Sequence, residues 1–380
     1  MAMTNIQPVP PPGFFIREEL EARGWTQRDL AYILGCPEQS VNIILSGKRG
    51  ITPEMAKALA KAFDVSPELF INLQRRFDLA QAPEPHPNVE RRARFQSHYP
   101  IREMIKRGWI QDTDEALLEV QLAKFFEKPS ADDIPHMDHA AFKSDTGRGE
   151  DELPTPTQLA WLFRVRQIAK TVVVPKFTDK MLRDYLPKLR QLTSDPEETR
   201  HVPRLLAECG VRFVLVEPLA GAKIDGVCFW LDNRSPVIGM SLRHDRIDNF
   251  WFVLAHEMEH VLRGHGQEKE IIGCELEGDR ASENTIVSQD ERVANKAAAN
   301  FCFPDGELAS FIVRKQPYFY ERDVMGFARR VHVHPGIVVG RFQWRTGRYD
   351  FLRKYQVKIR QFISSAAVTD GWGNVASVAL

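Results

Sequence analysis

The chain has 380 residues, 43% of them hydrophobic, enough to bury a sizeable core and to divide into two or more domains. Its 51 Lys and Arg balance 51 Asp and Glu, which excludes a global field drawing the protein to nucleic acid or membrane, so any anion-binding surface has to be local. Five cysteines (Cys36, Cys209, Cys228, Cys274, Cys302) form no CxxC pair and are odd in number, which argues against a disulfide framework and for reduced thiols in a cytoplasmic protein.

The first residues, "MAMTNIQPVPPPGFF", lack a positive flank and an apolar core, and no stretch approaches the roughly 18 uninterrupted apolar residues of a membrane span. Neither secretion nor membrane insertion is expected. Residues 14–80 then read as five short helices. Leu20, Leu30, Ile33, Leu34, Val41, Ile44 and Leu45 supply the apolar period, Thr26 is a good N-cap, and Gly35 and Gly47 mark turns. "QAPEPHPNVE" at 81–90 reads as a linker, 100–127 as helical, and 128–156 as a mobile loop poor in apolar residues. Helical patterns resume over 157–209. "VRFVLVEPL", "GVCFWLD" and "PVIGMSL", between 211 and 242, are β-branched and aromatic runs bounded by turn formers, and predict a small antiparallel sheet. A helix follows in "DNFWFVLAHEMEHVLRG", then a polar loop at 266–288, then a helix in "QDERVANKAAANF" stopped by Pro304.

The first of these two helices carries "HEMEH". Residues four apart share a helix face, so His256 and His260 can reach one tetrahedral zinc while Glu257 points beside it. Two neutral imidazoles and one carboxylate leave a fourth position for water, whose proton Glu257 can take as general base. Glu291 is the preferred third ligand, because Glu291, Ala294, Asn295 and Ala298 lie on one side of their helix and the small residues permit close approach; Asp290, Asp279 and Glu275 are alternatives. "HMDH" (His136, His139) has no further ligands nearby in sequence and reads as solvated loop histidines. His334 reads as a structural turn histidine, with a transition-state donor as the alternative.

Near the N-terminus, Gln27 begins a helix, Gly35 turns the chain, and the helix from about Pro37 to Leu45 exposes Glu38, Gln39, Ser40 and Asn42 between Val41, Ile44 and Leu45. This is a helix-turn-helix arrangement, whose second helix reads base edges in the major groove while Lys48 and Arg49 suit phosphate contacts. Residues 1–80 carry nine basic side chains and nine acidic ones, so charge does not distinguish this reading from a plain helical interaction bundle.

Two resemblances extend these readings. "IDGVCFWLDNRSPVIGMSLRHDRIDNFWFVLAHEMEHVLRGHG", with "ERVANKAAANFCFP" and "VHVHPGIVVGRFQ", resembles the ImmA/IrrE family of zinc peptidase domains over about residues 160–345. It implies His256, His260 and Glu291 as ligands of Zn2+ and Glu257 as the catalytic residue. Glu259 departs from the glycine usual at its position, and Val293 from a frequent second acid. "PPGFFIREELEARGWTQRDLAYILGCPEQSVNIILSGKRGITPEMAKALAKAFDVSPELFINLQRRFDLA", residues 11–80, is similar to the Cro/C1-type (XRE) domain of HigA antitoxins, which implies operator DNA, a homodimer and a toxin partner. Glu38 is an acidic departure on the reading helix.

The expected fold is therefore α+β and mainly α. Residues 1–80 form a five-helix helix-turn-helix bundle, 81–156 a linker and helical segment with a mobile loop, 157–345 a helical metallopeptidase domain with a small antiparallel sheet, and 346–380 a tail. The expected function is a DNA-binding regulator or antitoxin-like protein with a zinc-dependent endopeptidase that cleaves a regulatory protein. The alternative is a non-catalytic HigA-type antitoxin with a structural or vestigial zinc site. A DNA-processing enzyme is set aside, because the sequence offers neither a two-metal carboxylate cluster nor a phosphate-binding glycine loop. The basic tail "FLRKYQVKIRQF" reads as a solvated face, with a DNA or partner contact as the alternative.

Overall fold

The computed structural model describes residues 9–86, 88–130, 140–144, 155–267, 270–274 and 289–373. The chain forms two compact units, residues 1–89 and 90–380. The first consists of α1 (Pro12–Arg23), α2 (Gln27–Leu34), α3 (Glu38–Leu45), α4 (Pro53–Phe63) and α5 (Pro67–Gln81). Each boundary has a local cause. Thr26 closes a capping box with Asp29, while Thr52 and Ser66 cap α4 and α5 ahead of a proline already set at helical φ. Gly24 and Gly35 end α1 and α2 in the left-handed region. One core of Ile16, Leu20, Leu30, Val41, Ile44, Leu45, Leu59, Phe63 and Phe70 ties the five helices together.

The second unit begins within α6 (Asn88–His98) and continues through α7 (Ile101–Lys106), α8 (Glu115–Phe125), β1 (Ala140–Ser144), α9 (Pro156–Thr171), α10 (Asp179–Gln191) and α11 (Val202–Glu208). Three strands follow, β2 (Arg212–Val216), β3 (Ile224–Trp230) and β4 (Pro236–Met240). After them come α12 (Ile247–Leu262), β5 (Glu270–Cys274), α13 (Gln289–Phe301), α14 (Asp305–Lys315), α15 (Glu321–Val331), α16 (Pro335–Thr346), α17 (Arg360–Ile363) and β6 (Val368–Asp370).

The sheet has the order β1-β5-β3-β4-β2-β6 and is mixed, which corrects the expectation of an antiparallel one. β3 pairs antiparallel with β4 and β5, whereas β2 runs parallel to both β4 and β6. The reason is topological. β4 returns from β3 and inserts between β3 and β2, so β2 and β4 point the same way.

Side chains along β2 alternate between two cores. Phe213 and Leu215 join α12 on one face, and Val214 and Val216 join α9 on the other. Cys228 and Val227 divide in the same manner on β3. Both faces are covered, which is why these strands read as continuous apolar runs rather than alternating ones.

Two regions differ from their sequence reading. The segment read as a linker and helical stretch supplies Phe95, Met104, Trp109, Leu122, Phe125 and Phe126 to the core that also holds Leu159 and Trp161 of α9. The tail closes the sheet: β6 pairs with β2, and buried Asp370 accepts from Trp109 Nε1 at 3.1 Å and pairs with Arg164. β1 and β5 lie inside stretches expected to be loops. Their strand character comes from pairing, β5 on β3 and β1 on β5, which a few residues among polar flanks do not reveal. The remainder of those loops, with His136, His139, Glu275 and Asp279, lies outside the described residues.

Candidate metal centre

Nearly every residue of α12 is buried, between the sheet on one side and α13 and α16 on the other. A helix apolar on all sides belongs in an interior, so polar side chains placed on it are desolvated together. His256, Glu257 and His260 have no measurable exposure and Glu291 is 3% exposed. Helix α13 lies against α12 through Glu291, Ala294 and Ala298, its buried residues, and the two alanines let the backbones approach.

That approach brings three of the residues singled out in the sequence together. The Nε2 atoms of His256 and His260 lie 3.0 Å apart, and Glu291 reaches them with Oε2 at 3.2 Å and Oε1 at 3.1 Å, respectively. Three ligand atoms within 4.8 Å of one another can hold a metal ion. The opposite edges of the rings are already engaged. His256 Nδ1 donates to Asn295 Oδ1 at 3.0 Å, and His260 Nδ1 shares a proton with His265 Nδ1 at 3.0 Å. With Nδ1 of His256 protonated, its Nε2 lone pair faces the cluster. A cation between these atoms would relieve the repulsion of their lone pairs, and two imidazoles with one carboxylate form a zinc donor set.

Burial lowers the basicity of His256, but the hydrogen bond and charge of Glu291 outweigh it and leave its pKa above the usual value. His260, with burial dominant, stays below. Burial likewise opposes ionisation of Glu291, yet the two histidines hold its carboxyl well below the ordinary range.

Glu257 is placed differently. Burial pushes its carboxyl up to about 8, and neither oxygen has a hydrogen-bond partner among the described residues. It faces Gly226 of β3, where a Cβ would overlap Glu257 Oε1. The glycine therefore makes room for the carboxylate, a role invisible in the sequence because strand and helix meet only in the fold. Cys228, on the same strand face, stays a thiol: burial and the charge of Glu257 push its pKa well above the usual value.

The other residues noted in the sequence fall elsewhere. Asp290 is exposed and lies 3.7 Å from His265 Nε2, outside the triad. Glu259 is turned toward Arg263, whose Nε donates to it at 2.6 Å. His334 caps α16, its Nδ1 accepting from the Gly336 N–H at 3.1 Å. His265 and Asn295 were not assigned roles from the sequence; a histidine five residues past His260 and an asparagine one turn past Glu291 were the available signals.

In the first unit, Gln27, Glu38, Gln39, Asn42, Lys48 and Arg49 are exposed and Ser40 is half-buried. α3 turns Val41, Ile44 and Leu45 inward, leaving Gln39 and Asn42 free on its outer face. Glu38 is engaged by Arg28 of α2, Nε to Oε2 at 3.2 Å, which moderates its charge. Tyr32, 89% exposed on α2, adds a ring to the same unit.

Comparison with known proteins matches these two regions separately. A family described as helix-turn-helix covers residues 16–70, and one described as IrrE N-terminal-like domain, a peptidase family, covers residues 210–343. The virulence-associated protein A′ of Dichelobacter nodosus is 36% identical over 85 residues, 22% of this chain and 74% of that protein. The uncharacterized HTH-type transcriptional regulator YddM of Escherichia coli K12 is 34% identical over 73 residues, 19% of this chain and 78% of that protein. Among solved structures, an addiction module antidote protein of a HigA family from Coxiella burnetii is 36% identical, covers 20% of this chain and 84% of its own, and has a TM-score of 0.20. The chain belongs to the helix-turn-helix family of transcriptional regulators, and an IrrE N-terminal-like domain follows on the same polypeptide.

Proposed function

We propose that this protein is a cytoplasmic, homodimeric DNA-binding regulator of antitoxin type that also carries a zinc-dependent endopeptidase, and that the peptidase cleaves a regulatory protein such as a repressor or toxin partner. The observation that carries the reading is the convergence of His256, His260 and Glu291 beside the unpartnered carboxylate of Glu257. His256, His260 and Glu291 would hold a zinc ion, which when bound supplies Lewis-acid activation of water and of the scissile carbonyl. Glu257 takes the proton of the attacking water at a carboxylate oxygen and passes it to the leaving nitrogen; burial keeps its proton affinity close to that demand. Asn295 and His265 hold the imidazoles with Nε2 forward.

On the DNA side, Gln27, Glu38, Gln39, Ser40 and Asn42 reach base edges and Lys48 and Arg49 hold phosphate. Two-fold pairing places two α3 helices about one DNA turn, ~34 Å, apart. A second reading, a non-catalytic HigA-type antitoxin with a structural zinc, is favoured by one feature, the complete burial of the donors and of Glu257.

Elemental analysis of the purified protein beside His256→Ala and Glu291→Ala tests the ligand set. About one zinc in the wild type and little in both variants is expected. Proteins trapped in cells by Glu257→Gln are then offered to wild type and variant. Cleavage by the wild type alone supports the peptidase; bound zinc with identical behaviour of the two establishes the structural site instead.

A further inference from the structure

The formal charge of the chain is zero, yet its distribution is uneven. Between residues 314 and 360 stand twelve Arg and Lys against Glu321, Asp323 and Asp350, although Arg330, Arg341 and Arg345 are paired with Glu307 and Asp305 from outside the segment. Two of these acids are already engaged, Glu321 by Lys354 at 2.8 Å and Asp323 by Lys315 at 2.9 Å. The segment also holds four of the exposed large rings of the described chain: Tyr318 at 71%, Tyr320 at 55%, Trp344 at 49% and Tyr349 at 47%.

Two parts of this segment are held side by side. Phe342 of α16 packs on Phe319 at 4.6 Å and on Phe351 at 5.0 Å between ring centroids, which holds the α14–α15 connection beside the segment after α16. The contact of Glu321 with Lys354 and Tyr355 ties the same two segments a second time. Cations lie over rings here: Arg322 over Tyr320 at 5.4 Å and Arg348 over Phe351 at 5.1 Å. Arg322, Arg348 and Arg353 are exposed and make no ion pair among the described residues.

We propose that this surface binds single-stranded nucleic acid, with bases stacked on Tyr320 and Tyr349 and phosphates held by Arg348 and Arg353. Exposed aromatic faces interleaved with arginine suit unpaired bases on a polyanionic backbone; a closed duplex offers the rings nothing to stack on, and an acidic protein would use the charge and leave the rings idle. The site is separate from the helix-turn-helix and does not depend on the peptidase reading.

The test uses the full chain and fluorescein-labelled dT20 in an anisotropy titration at several salt concentrations. The wild type is expected to bind. The double variant Arg348→Glu with Arg353→Glu should bind at least about tenfold more weakly and with a shallower salt slope. Tyr320→Ala with Tyr349→Ala should lose about tenfold on dT20 but nothing on an abasic 20-mer, and Tyr320→Phe with Tyr349→Phe should restore binding. Unchanged melting of each variant, followed by circular dichroism, separates lost contacts from lost folding. Absence of dT20 binding by the wild type, patch variants equal to it, or stronger displacement by polyglutamate than by unlabelled dT20 each overturns the proposal. Loss of dT20 binding on Gln39→Ala with Asn42→Ala, with the patch variants unaffected, moves the site to the helix-turn-helix and overturns it as well.

Discussion

His265 illustrates how much a single side chain beside the His256, His260 and Glu291 cluster can decide. Its Nδ1 meets His260 Nδ1 at 3.0 Å, and its carbonyl accepts from Trp230 Nε1 at 2.8 Å, which anchors the turn that carries it. Removing the ring frees His260 to rotate or to change tautomer. His265→Ala is therefore expected to weaken zinc binding by about 10- to 100-fold in a chelator competition while leaving the secondary structure intact. Unchanged affinity would reduce His265 to a packing residue. His334 gives a pH prediction away from the cluster. Burial holds its imidazole below the usual value, against the opposing charge of Asp195, and its neutral Nδ1 accepts the cap bond of α16. A depressed folded-state pKa contributes stability above the unfolded value of about 6.5, which is lost as pH falls through the folded pKa. His334→Asn keeps an acceptor without a titration, so part of the acid-side loss of Tm should disappear; His334→Ala should cost about 1 kcal/mol at neutral pH.

The helix pair α12 and α13 is where packing and chemistry meet. Ala298, 4% exposed, is one of the buried residues of α13 packed in the core beside α12. Ala298→Leu should destabilise by about 1–3 kcal/mol and reduce bound zinc by displacing Glu291, whereas Lys296→Leu on the exposed face should change neither. Full zinc occupancy in Ala298→Leu would mean that Glu291 follows the metal rather than the helix. Much of this pair was legible beforehand. The spacing of His256 and His260, and the small residues after Glu291, follow from helical period alone. Gly226 was not, because its neighbour Glu257 is thirty-one positions away and comes from another element. The strands were legible as strands but not in their pairing: apolar runs report burial on both faces, and say nothing about the insertion of β4 beside β2.

The two units differ in what should hold them together. The helix-turn-helix unit has its own core and caps, whereas the second also has a buried cluster of ionisable groups that a bound cation would relieve. Chelation is accordingly expected to lower the melting temperature of the transition belonging to residues 90–380 and to leave that of residues 1–89 in place. Differential scanning calorimetry with and without chelator measures this; a single transition shifting as one would mean that the units unfold together.

The helix-turn-helix pattern and the shared face of His256 and His260 were legible in the sequence, since each depends on side chains within one or two turns of one another; that Glu291, rather than Asp290, meets those two histidines was decided by the packing of α13 on α12. Pairing order in the sheet, the place of residues 95–126 and of the tail in the second core, the strand glycine under Glu257 and the role of His265 were decided by the tertiary structure. All of these are contacts between segments distant in the chain. Local propensity records that a surface will be buried, but the partner that buries it is selected only when the whole core packs.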